Sequence, residues 1–244
     1  MTERQDHRVT FFGAPGNRFE NLVRCDDRLF PGTSGLKQMM ETTSGGINHI
    51  APFDYDRFVL VGLDFNVQKL AVIFRDYHLL EVPVEKNSPI STACLQQALL
   101  DSLGDTLAIK ITRMLKEIIG DQIVIQLIPE PLPSESALEL KAFSYFKRLK
   151  NANCLEFVNR LYYESSETVA IREGVQLIHQ PPHTVSGPCF TDARYTIGAT
   201  KGDIRLLRDT TSGQHTEDNY RHMNDEFGAL LLNELFGQKN DSIN

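Results

Sequence analysis

Asp54–Leu63, DYDRFVLVGL, is the stretch whose reading decides the fold. Within it Phe58-Val59-Leu60-Val61 is continuously apolar and rich in β-formers, and Gly62 stops it. A strand apolar on both faces is one buried on both faces, as in a parallel sheet covered by helices. Working outward, Gln122–Ile128 (QIVIQLI) repeats the pattern and ends at Pro129 and Pro131, and Val175–His179 is a shorter run ended by Pro181 and Pro182. Towards the N-terminus, Arg8–Phe12 leans to β and closes in Gly13-Ala14-Pro15-Gly16. Asn21–Gly46 reads as irregular or hairpin structure without a firm helix, and Arg194–Gly213 as polar and turn-rich.

Between the strands lie helical patterns. Thr92–Leu103 is one; in the next, Thr106–Ile119, the residues Leu107, Ile111, Met114, Leu115 and Ile118 recur at helical spacing, with Gly120 placed as a C-cap. A third is expected from Ser134 to about Tyr163, broken near Asn151–Asn153, and a last from Asn224 to Phe236 with Phe227, Leu230, Leu231 and Leu235 on one stripe. Strands alternating with helices predict an α/β fold, a parallel sheet with helices on both faces. No repeat, low-complexity block or linker interrupts the chain, so residues 1–244 are expected to form a single domain.

Composition narrows the function. With 244 residues, 41% apolar and 23% charged, the chain has the make-up of a globular protein. Its net charge of −7 argues against a nucleic-acid or anionic-membrane surface, which needs clustered Lys and Arg. Lys147, Arg148 and Lys150 are interrupted by Leu149 and read as a solvated helix face. The charged opening MTERQDHRVTFF lacks the apolar core of a signal peptide, and no apolar run approaches the ~18 residues of a membrane span. A cytoplasmic protein is the expectation. Cys25, Cys94, Cys154 and Cys189 form no CxxC pair, so buried free thiols are expected rather than a metal knuckle or disulfides.

In an open parallel sheet, ligands bind beyond the carboxyl ends of the strands. The residues of interest are therefore Gly13, Gly62 to Asn66, Pro129 to Pro133, Gln180 to Thr184, and the loop before the last helix. A glycine there lets a backbone N–H approach a ligand, although each one alone is as readily explained by a turn. His222 is the best candidate general base: it lies in a loop just before a helix, with Asp218 and Asp225 near in sequence to fix its tautomer. Taken alone, a surface histidine near acids is more often merely solvated. His179 and His183 are separated by Pro181 and Pro182 and cannot share a helix face, so no metal site is expected. There is no GxSxG elbow, nothing marks Ser34, Ser44 or Ser186 as activated, and Cys189 after Pro188 reads as an inert thiol. The absence of GxGxxG and P-loop motifs removes support for nucleotide binding.

The succession VTFFGAPG (Val9–Gly16), YDRFVLVGL (Tyr55–Leu63), IPEPLPSE (Ile128–Glu135) and HMNDEFG (His222–Gly228) is similar to a bacterial group of SGNH (GDSL-like) hydrolases. The resemblance implies a three-layer flavodoxin-like α/β fold. It also implies hydrolysis of a small-molecule or saccharide ester by a serine/histidine mechanism, with no cofactor. On that resemblance His222 is the general base with Asp218 as its acid, and Gly13 (or Gly16) and Gly62 bind the oxyanion. Three positions depart from the pattern. Asp64 stands where the family has an oxyanion-binding asparagine, leaving Asn66 to replace it only if the loop is rearranged. Asn219 stands where the acid belongs, with Asp218 one residue too early. The family's serine lies in a block ahead of the strand matched by Val9–Phe12, and only Met1–His7 precede that strand here. The expectation is either a first strand and serine missing from this sequence or a non-catalytic relative acting as a binding or assembly module. A missing central strand would leave unpaired backbone, for which pairing into a homo-oligomer is one remedy. An unrelated α/β transferase of glycan pathways is a third reading.

Overall fold

The computed structural model describes residues 8–84, 86–198 and 222–237. They fall into two compact units, one of residues 1–56 with 113–123 and one of residues 57–112 with 124–244.

The first unit is built on a hairpin. β1 (Leu22–Cys25) and β2 (Arg28–Pro31) pair antiparallel around Asp26 and Asp27, with Asp26 at φ 54°. Leu29 extends the pairing to Ile50 through two 2.9 Å backbone hydrogen bonds. Gly32 N–H donates to the Asn21 carbonyl at 2.6 Å, and a Cβ on Gly32 would lie 2.8 Å from that oxygen. α1 (Ser34–Ser44) follows, capped by Thr33, whose hydroxyl accepts from Leu36 N–H at 3.3 Å, and ended by Gly45 in the left-handed conformation. Leu29, Leu36, Met40 and Ile50 are buried. Two expectations are corrected here. A helix stands where irregular structure was predicted, because Leu36 and Met40 make a one-turn spacing that the Gly and Thr around them disguise. Conversely, Arg8–Phe12 is not a strand: no described residue pairs with it, and Val9 and Phe11 stand exposed.

The second unit holds the sheet. β3 (Arg57–Val61) is followed by α2 (Gln68–Asp76), then by the short parallel pair β4 (Tyr77–Leu79) and β5 (Ser88–Ile90). α3 (Thr92–Gly104) and α4 (Leu107–Ile119) come next, as their periodicity predicts; residues 107–112 of α4 belong to this unit and the rest to the first. β6 (Val124–Ile128), α5 (Ser144–Asn151), α6 (Leu155–Glu173) and β7 (Gln176–Leu177) complete the βα alternation. β8 (Val185–Ser186) and β9 (Phe190–Thr191) form a small antiparallel pair, and α7 (Asp225–Gly237) closes the described chain. Both β3 and β7 run parallel to β6, in the order β3-β6-β7. The protein is thus a mixed α/β structure with a three-stranded parallel sheet.

Burial explains these elements. Leu95, Leu99 and Leu103 recur every four residues on α3 and are fully covered, and Ile125 and Leu127 are buried on β6. Phe74 of α2 stacks on Tyr145 of α5 at 4.4 Å, and the Tyr145 hydroxyl accepts from Leu79 N–H at 2.9 Å. The break predicted near Asn151–Asn153 is real: Asn153 takes φ 55° between α5 and α6. The helix beyond it continues ten residues past Tyr163, the predicted end, because Val169 and Ala170 carry its buried face onward to Gly174.

Candidate functional site

Because β3, β6 and β7 run parallel, their carboxyl ends lie along one edge, and the residues that leave them build the site. From β3 the chain passes through three consecutive left-handed residues: Gly62 at φ 69°, Leu63 at 52° and Asp64 at 66°. For leucine and aspartate this conformation costs about 1–2 kcal/mol each. The turn is pinned on every side. Gly62 N–H donates to Ile128 O at 2.8 Å, Ala108 N–H to Leu63 O at 3.0 Å, and Glu130 N–H to Phe65 O at 2.9 Å. A Cβ on Gly62 would come within 3.0 Å of Glu130 Cγ. The Asp64 carboxylate is paired with Lys69, whose side chain is only 16% exposed. Asn66 donates its amide to Glu130 Oε2 at 2.8 Å and accepts Gln68 N–H at 3.0 Å, fastening the start of α2.

Glu130, leaving β6, joins this turn to a cavity at the ends of β6 and β7. Facing it from α6 are Tyr162, Tyr163 and Ser166, with Glu167 one residue on; spacings of three and four put them on adjoining faces of one helix. From β7 comes His179, whose Nε2 lies 2.5 Å from Glu167 Oε1 and whose ring meets Tyr163 edge-on at 5.2 Å. Gln180 is a structural clamp: its Oε1 accepts Leu132 N–H at 2.9 Å and its Nε2 donates to Thr191 Oγ1 at 2.9 Å and Thr184 Oγ1 at 3.0 Å. Burial holds the Tyr162 phenol above its ordinary pKa. Burial likewise pushes the Cys189 thiol up to about 12, which leaves it protonated and inert.

The expected site residues are dispersed. Gly62 stands at the strand edge, but its N–H is taken by the sheet. Gly13 belongs to the first unit, where its N–H donates to Thr43 Oγ1 at 2.9 Å. His222 is exposed, three residues ahead of α7. Asp218 lies outside the described residues. In the same loop Asn224 has a clear structural role: its side chain donates to Arg194 O at 2.7 Å and Ile197 O at 3.1 Å, and accepts Phe227 N–H as the cap of α7. Ser44 Oγ is occupied by Ile47 N–H and O, each at 2.9 Å.

Sequence reading placed Glu130 within the strand-end segment Pro129 to Pro133 but did not find Tyr162, Ser166, Glu167 and the pairing of His179. The available signal was Ser165-Ser166 one helical turn from the apolar Leu161, Tyr162, Val169 and Ala170, hidden because the helix was expected to end at Tyr163. Among the described residues no group of three or more His, Cys, Asp or Glu could hold a metal ion, and no helix is long and apolar enough to cross a membrane. Compared with protein-family models, curated proteins and solved structures, the chain matches none.

Proposed function

We propose that the protein is an ester hydrolase of the SGNH type, with a flavodoxin-like arrangement of its sheet and His222 as general base. The observation that carries the reading is the turn Gly62-Leu63-Asp64: three left-handed residues, two of them not glycine, at the carboxyl end of a parallel strand. Strain of this kind persists only where the surroundings enforce it, and it clusters at functional sites. Gly62 N–H is engaged, so oxyanion binding falls to the amides of Leu63 and Asp64, which donate to no described group. The Lys69 ammonium offsets the Asp64 carboxylate that would otherwise repel the developing charge. In this scheme His222 takes the proton of a serine hydroxyl as the oxygen attacks the ester carbonyl. The same proton passes to the leaving alcohol, and water then releases the acid from the acyl-enzyme. In the family that the sequence resembles, this serine belongs to the first block.

The test is p-nitrophenyl acetate hydrolysis by the protein and its His222→Ala variant. A fall of about 10²–10⁴-fold in the variant is expected of a lost general base. An equal rate in both proteins, or no turnover by either, sinks the proposal and favours the non-catalytic binding module, the reading that the aspartate at position 64 supports.

A further inference from the structure

The cavity at the ends of β6 and β7 has features that ester hydrolysis does not use. It measures about 20 Å³, enough for one group the size of a hydroxyl or a water. Two of its lining side chains, Tyr162 and Ser166, are 3% and 1% exposed, and neither hydroxyl has a hydrogen-bond partner among the described residues. Ser166 lies near enough to ease the ionisation of Tyr162 slightly, against the larger effect of burial, without making a hydrogen bond of normal geometry. A buried polar group left unpaired is costly, so two of them facing one cavity mark a place built to receive a polar atom. Glu130 lines the same space; its Oε2 is held by Asn66, and its Oε1 accepts no described hydrogen bond.

We propose that this cavity binds a hydroxyl group of a small neutral ligand, an alcohol or polyol. A hydroxyl both donates and accepts, which is what the lining asks for: it donates to the Glu130 carboxylate and accepts from Tyr162 or Ser166. An anion is disfavoured by the carboxylates of Glu130 and Glu167. An ammonium accepts nothing and leaves the hydroxyl protons of Tyr162 and Ser166 with Glu130 alone. Tyr163 and His179 also line the cavity, the histidine held by Glu167, and offer the rest of the ligand an aromatic face and a polar edge. The inference is independent of the hydrolytic reading, since it involves neither His222 nor the Leu63 and Asp64 amides.

Titration of the tyrosine ring resonances by NMR with glycerol, ethylamine and inorganic phosphate tests it. Glycerol is expected to give a saturable shift, with ethylamine and phosphate binding at least about fivefold more weakly. Tyr162→Phe and Ser166→Ala, which keep ring and backbone, are each expected to raise the glycerol Kd by about fivefold or more, the loss of one hydrogen bond. Thermal melts verify that the variants fold, and if one does not, the other carries the test. The proposal is overturned if glycerol gives no saturable shift, as a cavity holding only water would. It is equally overturned if the folded variants bind glycerol unchanged, or if ethylamine or phosphate binds more tightly than glycerol.

Discussion

Asp64 combines a backbone conformation that side chains resist with a charge that oxyanion chemistry resists. Asparagine tolerates the left-handed region as well as aspartate and carries no charge. Asp64→Asn is therefore expected to change stability by less than about 1 kcal/mol, since the lost pair with Lys69 is partly exposed. If the Leu63 and Asp64 amides hold the oxyanion, the same substitution raises kcat/KM for p-nitrophenyl acetate, by up to about tenfold. A decrease would argue that the carboxylate has a positive role. Asn153 poses the simpler problem of backbone alone. At φ 55° between α5 and α6, Asn153→Ala is expected to cost about 1 kcal/mol in urea denaturation and Asn153→Gly close to nothing. Equal effects of the two would show that the side chain rather than φ matters.

Among the elements, those with a sustained apolar pattern were legible from the sequence. β3, β6, α3 and α4 stand within two residues of their expected bounds because unbroken apolar runs mark the strands and apolar residues at helical spacing mark the helices, although β3 is only partly covered and its Val61 is exposed. α1 was hidden by its sparse stripe, and β8 and β9, two residues each, are too short for any periodicity. Arg8–Phe12 shows the reverse failure, since β-propensity without a partner strand does not make a strand. The cavity was illegible for a related reason: Tyr162, Ser166 and Glu167 become neighbours of Glu130 and His179 only once α6 packs beside the sheet. The hairpin offers its own test. With the Asn21 carbonyl 2.8 Å from where a Cβ would sit, Gly32→Ala must push backbone against backbone. Overpacking of this kind costs about 1–3 kcal/mol, and a urea midpoint unchanged by the substitution would contradict the close approach.

On the scale of the whole molecule, the chain divides into two compact units, and one of the three points of division falls inside α4. No proline, glycine or serine run marks that point, and the second segment of the first unit returns from far along the sequence, so composition carries no sign of the division. Alkaline pH should expose a buried cost. The Cys189 thiol, ordinarily near 9.0, is raised to about 12 by burial, so the folded state holds its proton more tightly than the unfolded chain does. Its contribution to stability is complete below about pH 9 and is lost as pH climbs from there towards 12, with the Tyr162 phenol acting in the same direction at higher pH. The urea midpoint is expected to fall between pH 8 and 11, and less steeply in Cys189→Ala; identical slopes would sink the assignment. The uneven burial of the thiols also gives the protein a built-in clock. Cys25 and Cys94 are exposed, Cys154 is half-covered and Cys189 is sealed. A brief pulse of alkylating reagent therefore marks Cys25 and Cys94 in the native state, and counting the molecules that acquire a label on Cys189 times the opening of its surroundings without any engineered probe.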